Sequence, residues 1–142
     1  MIRVQQQHAK GCGPAALAMV TGIPYPEVCA WFKGIDFNKD GIHPYGIDAF
    51  LVEHGYATAR KGMYYAYIGS PRREPWPPVP FADVHICEVR VYENAPINHF
   101  VVLLRDGTVL DPLGDERRSL ADFFCVHNMV GVYSVVDDAA KP

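Results

Sequence analysis

The sequence predicts one α+β domain, with helices first and antiparallel strands second. Three observations carry this. Helix formers and helically spaced apolar residues fill the first third of the chain. From Ala82 onward apolar and polar residues alternate instead. The length, 142 residues, is that of one compact domain, and no internal repeat or low-complexity tail divides it.

Residues 13–20, GPAALAMV, combine strong helix formers with a proline at a first-turn position, and Gly22 stops the helix. Pro24 and Pro26 open a second short helix with Val28, Trp31 and Phe32 on one face. A third helix lies within residues 41–55, where Ile47, Phe50, Leu51 and His54 share a face and Gly55 is suited to closing it. Residues 56–60 alternate as a strand. The stretch 69–80 holds five of the twelve prolines, which excludes helix and central strand, so a surface loop is expected there. Its Trp76 either touches a ligand or packs down as part of a connector. VHICEVRVY then alternates, and INHFVVLL and TVLDPL make a hairpin around Arg105, Asp106 and Gly107. SLADFFCVH reads as a short helix with Ser119 as N-cap, and MVGVYSVV as a last strand.

Composition excludes several classes. Hydrophobic residues are 49% and charged residues 20%, near the soluble average, which fits neither a disordered chain nor a coiled coil. A net charge of −3 without a basic block argues against nucleic acid as a partner. No apolar run approaches the length of a membrane span, and the first twelve residues lack a signal-peptide core, so a cytoplasmic location is expected. The four cysteines contain no CxxC pair and are expected as free thiols.

Cys12 sits where a glycine-rich turn enters a helix, and backbone N–H groups with the positive end of the helix dipole favour a thiolate there. The same small residues equally serve tight packing. A thiolate nucleophile needs a base and the base an orienting group. His99 begins a predicted strand and Asp111 lies on its partner. A two-residue hairpin loop would put them on opposite faces. A three-residue loop with Gly107 left-handed pairs Val101 with Asp111 and makes His99 and Asp111 diagonal neighbours. Chain geometry permits the pair without requiring it.

These blocks resemble the papain-like cysteine peptidases, and among them the bacteriocin-leader peptidases that cut after double-glycine leaders. The matching positions are Gln6, Cys12, Gly13, Ala15, Leu17 and Met19, then His99-Phe100-Val101-Val102, then Asp111-Pro112, with residues 41–55 resembling that family's third helix. The likeness spans about residues 4–136. It implies a papain-like fold and a thiol hydrolase acting on a peptide or protein substrate through an acyl-enzyme, with no cofactor and no metal. Cys12 would be the nucleophile, His99 the general base and acid, and Asp111 the group orienting the imidazole. Gln6, with the backbone N–H of Cys12, would donate to the oxyanion. A catalytically silent module that binds a peptide or protein, and an acyltransferase, are the alternatives on the same fold.

The chain departs from the family pattern in three ways. Gly11 stands where an acidic residue commonly precedes the cysteine, and Ala15-Ala16-Leu17 replaces Ala-Cys-Leu. The membrane spans and ATPase that usually follow such peptidases are missing, so a stand-alone domain is expected. Other candidates are weaker. Gln5 and Gln7 could replace Gln6 if the helix start slips, and His8 is a remote alternative base. His85/Cys87 with Cys125/His127 could form a zinc site only if 125–127 were strand rather than helix end. Asp36, Asn38 and Asp40 lack the closing glutamate of a calcium loop. His43 and His54 read as surface or capping residues, and Cys29 as core.

Overall fold

The structure, a computed structural model, describes residues 1–67, 76–96 and 98–134, with the side chains of 62–67 outside that description. Most of the expected proline-rich loop and the end of the expected last strand, 135–136, lie outside the described residues. Three helices, α1 (Cys12–Thr21), α2 (Tyr25–Trp31) and α3 (Pro44–Glu53), precede the sheet. The strands are β1 (Tyr56–Tyr67), β2 (Val84–Arg90), β3 (His99–Leu104), β4 (Val109–Leu110) and β5 (Cys125–Ser134). They form one sheet in the order β1-β5-β2-β3-β4, with every neighbouring pair antiparallel. The expected α+β class is what the structure shows.

The sheet is apolar on both faces, and strand alternation explains how. Ile86 of β2 with Phe100 and Val102 of β3 meets the helices, where Leu17, Ile47, Phe50 and Leu51 close the larger core. Cys87 and Val89 with Val101 and Leu103 point the other way, onto Phe123, Val126 and Met129. β3 is thus buried on both sides, which is why its sequence reads as a continuous apolar run. α1 is buried from Cys12 to Met19, as befits a helix wedged between the sheet and the other helices. Trp31 packs edge-on against Phe32 and Phe50, and Phe32 stacks on Phe50 at 5.7 Å. Among the described residues no helix is long and apolar enough to cross a membrane.

Element boundaries differ from expectation at two places. β1 runs seven residues beyond Arg60, to Tyr67, because β5 pairs with it from Ser134 back to Cys125. The helix expected over SLADFFCVH is only a 3₁₀ turn, Leu120–Asp122, closed by a reciprocal Ser119/Asp122 capping box. Cys125 already belongs to β5, so 125–127 is strand and not a helix end. Phe123 sinks into the second core and Phe124 N–H bonds Arg90 O, pulling the chain into the ladder before a second turn can form.

The β3–β4 hairpin has the three-residue form. Val102 pairs Leu110 and Leu103 pairs Val109, the register that brings Val101 opposite Asp111. Gly107 has φ 91°, a conformation costly for a residue with a Cβ. Its N–H bonds Leu104 O at 3.0 Å, and Asp106 Oδ1 accepts from Thr108 N–H at 2.9 Å.

Candidate active site

α1 begins at Cys12, directly after Gly11, with no side chain capping its first turn. The leading amides of a helix have no intrahelical acceptor, so the Cys12 N–H lies at the positive end of α1 beside its own thiol. Gly11 has a local reason to be glycine. A Cβ there would stand 2.1 Å from the Tyr25 hydroxyl, which α2 inserts under this turn. The space next to the cysteine is therefore filled by a buried phenol. Its pKa rises to about 12, chiefly through burial, partly offset by backbone hydrogen bonds from the 7–8 turn.

His99 and Asp111 are both buried, and they meet: His99 Nε2–H donates to Asp111 Oδ1 at 2.6 Å. Asp111 Oδ1 also accepts the Leu113 N–H at 3.0 Å, and Arg117 Nη1 stands 3.7 Å from Oδ2. With Nε2 committed to Asp111, the Cys12 side chain is the other group that acts on the imidazole. Burial is the largest influence on the imidazole and opposes its charge. The hydrogen bonds to Asp111 and Cys12, with the charges of both, outweigh burial and raise its pKa to about 9. Burial likewise works to raise the Asp111 carboxyl. The bonds from His99 and Leu113 and the charges of His99 and Arg117 overcome it and hold the group below the usual carboxylate range.

A cleft of about 690 Å³ opens at these groups. Cys12 and His99 line it together with Gln6, Ile42, Glu88 and Arg117, among others. Its lining is concave and mixes apolar and polar groups, as in sites that hold small molecules or peptide segments.

Gln6 reaches the same cleft, anchored by its N–H to Pro112 O at 3.0 Å. Its side chain is not free to donate. Both hydrogens of Nε2 are spent on His8 O at 2.9 Å and Ala9 O at 3.1 Å, while Oε1 is buried without a partner. Here the structure departs from the expected donor to an oxyanion, because the 8–9 turn supplies two carbonyls within reach of the amide. Gln5 turns instead to Leu113 O and Gln7 is exposed.

The other candidates have structural partners. His8 is hydrogen-bonded to the Tyr25 hydroxyl at 2.7 Å and stacks on its ring. His43 caps α3 through the Tyr45 N–H, and His54 packs flat on Phe50. His85 is fully buried: its Nε2 accepts the N–H groups of Phe81 and Ala82, and its Nδ1–H donates to Leu103 O. Burial, its largest influence, lowers its pKa. Cys125 Sγ lies 3.5 Å from His127 Nε2, but Cys125 pairs Arg90 while His85 pairs Gly131, which puts His85 and Cys125 at opposite ends of the β2–β5 ladder. Among the described residues no three His, Cys, Asp or Glu side chains could hold a metal. Asn38 Oδ1 accepts from Ala9 N–H. Trp76 packs against the second core, on the connector reading.

Sequence reasoning misses Glu88, Asn98 and Arg117, which line the cleft, and Tyr25, which lies against Gly11. None stands in a chemical motif. The one available signal is Gly11 itself, where a Cβ would meet the Tyr25 hydroxyl.

No protein-family model matches the chain, and neither does any curated protein. Among solved structures, the chain is similar to a double glycine motif protease from an AMS/PCAT transporter, determined in complex with its leader peptide. The TM-score is 0.64 at 20% identity, over 94% of this chain and 91% of that one. The likeness spans nearly the whole of both chains, so the three helices and five-stranded sheet are the fold of that peptidase.

Proposed function

We propose that the chain is a cysteine peptidase that cleaves a peptide or amide bond in the cleft through an acyl-enzyme on Cys12. The observation that supports this is the buried His99–Asp111 hydrogen bond at 2.6 Å, with His99 and Cys12 lining one cleft and the Cys12 side chain acting on the imidazole. His99 takes the thiol proton, and Cys12 Sγ attacks the scissile carbonyl carbon. The resulting oxyanion meets the Cys12 N–H, and Gln6 joins only by exchanging one of its two carbonyl partners. As the tetrahedral intermediate collapses, His99 returns the proton to the departing amine. Water, deprotonated by the same imidazole, then hydrolyses the thioester and restores the thiol. Asp111 holds the ring in the tautomer and orientation these transfers need. That the similar protease binds a leader peptide supports a peptide as the substrate.

Iodoacetamide alkylation, followed cysteine by cysteine with mass spectrometry at neutral pH, tests the reading. Burial raises the pKa of the Cys29, Cys87 and Cys125 thiols, in each case as the leading cause. Cys12 is expected to react fastest, and His99→Ala to abolish its lead. A Cys12 no faster than the other three overturns the proposal. Against peptide libraries, Cys12→Ala is expected to be inactive, and Asp111→Ala to lose less activity than His99→Ala.

A further inference from the structure

A second set of polar groups faces the cleft and has no part in the chemistry above. Glu88 projects from β2 on the helix side of the sheet, across from Phe100, and lines the cleft. Its carboxylate is held at both oxygens by neutral amides: Asn98 Nδ2–H donates to Oε2 at 3.0 Å and Asn128 Nδ2–H to Oε1 at 2.7 Å. An ionised carboxylate has about four lone-pair sites, so two remain for other donors. Amide donors fix its position without neutralising its charge. Among the described residues no cation pairs with it. Arg60, which shares a small adjoining cavity with Glu88, has its guanidinium on Asp48 at 2.6 Å, and Arg117 in the cleft faces Asp111.

Asn98 adds a second observation. While its Nδ2 serves Glu88, its Oδ1 is buried with no hydrogen-bond partner. A buried acceptor without a donor costs free energy that a ligand supplying the donor recovers. Carboxylate and orphan carbonyl are both acceptors, so the group that satisfies them together is a positively charged N–H donor. Asn98 also immediately precedes His99 in the chain, which sets this point next to the reacting groups.

We propose that Glu88 and Asn98 form a subsite in the cleft for a positively charged N–H donor on the bound peptide, either a lysine ammonium or a free amino terminus. The subsite deepens the peptidase reading and rests on it for its place in substrate selection.

Two measurements test it. In the first, ¹⁵N-labelled protein is titrated with n-butylammonium and, separately, n-butanol, and the side-chain amide signals of Asn98 and Asn128 are followed. Saturable shifts with the ammonium, absent with the alcohol and lost in Glu88→Gln, are expected. In the second, peptidyl acyloxymethyl ketones differing only in lysine, arginine or norleucine, each with a free or acetylated amino terminus, label Cys12. A cationic probe is expected to react about tenfold faster than its neutral counterpart, a ratio that falls toward one in Glu88→Gln. The lysine and amino-terminal arms identify which source of the charge is read, and faster labelling by the arginine probe alone overturns the ammonium assignment. Equal amide shifts with ammonium and alcohol in the wild-type protein overturn the subsite, whether or not Glu88→Gln folds. Shifts without labelling by any probe leave the subsite standing and count against the peptidase. Labelling without charge preference does the reverse.

Discussion

His99 is drawn toward its charged form by two neighbours, Asp111 through Nε2 and the Cys12 side chain, and away from it by burial. Its pKa in the folded protein is about 9, against roughly 6.5 for an unperturbed histidine in the unfolded chain. The folded state therefore holds this proton more tightly, and the stability it contributes is full below about pH 6.5 and is lost as pH rises toward 9. Urea unfolding of the wild type is expected to show stability declining from pH 6.5 to 9.5, and Asp111→Asn to show a shallower decline. An unchanged slope in that variant would mean that Asp111 does not hold the charge. Asp111, whose pKa is lowered, acts at the other end of the scale: its contribution is present above the carboxylate range and lost on acidification below it. His85 also loses its contribution on acidification, because its Nε2 must stay unprotonated to accept from Phe81 and Ala82.

At the level of the element, the β3–β4 hairpin converts a turn choice into chemistry. A three-residue loop is required to bring His99 and Asp111 to one face, and Gly107 at φ 91° is the residue that permits it. Gly107→Ala forces a Cβ into the left-handed region and is expected to destabilise the protein by about 1 kcal/mol, read by urea denaturation. If the loop instead relaxes toward a two-residue form, the His99–Asp111 pair is lost and the alkylation lead of Cys12 falls with it. A loss of stability without loss of that lead would place the strain in the loop alone. α1 works in the same way. Its first residue bears the thiol, and its position depends on Tyr25 from α2 fitting under Gly11.

The whole molecule packs two cores on opposite faces of one sheet, and only one of them supports the thiol. Leu17, fully buried, lies in the core beneath α1, whereas Phe123 fills the far face with Met129 and Val101. Truncating either to alanine is expected to cost about 3 kcal/mol or more in urea unfolding. Their effects on the site are expected to differ. Phe123→Ala leaves the preferential alkylation of Cys12 in the folded protein intact, while Leu17→Ala, which lets α1 shift, reduces it. Equal effects on Cys12 would show that the two faces are mechanically coupled through the sheet.

The local features of this fold are legible in the sequence because their causes are local. Helix formers bounded by Pro14 and Gly22 predict α1, alternation predicts β2 and β3, and Asp106-Gly107 allows the three-residue turn whose register follows by counting. Cys12, His99 and Asp111 are candidates on residue type and spacing alone. The remainder depends on groups far apart in the chain. The FFCVH stretch has apolar character compatible with helix or strand, and only pairing with Arg90 and burial of Phe123 make it strand from Cys125. The Gln6 amide could face the cleft or the 8–9 carbonyls, and its orientation is a matter of which partners the folded turn presents. Glu88, Asn98 and Asn128 span forty residues and carry no spacing rule, so their network exists only once β2, β3 and β5 lie side by side. Sequence by itself determined the three helices, the alternating strands β2 and β3 and the reactive residue types, since propensity and periodicity act over a few residues. Tertiary structure alone decided which polar groups share a cleft and which are left unpaired, since hydrogen bonds and burial act across whatever the fold brings together.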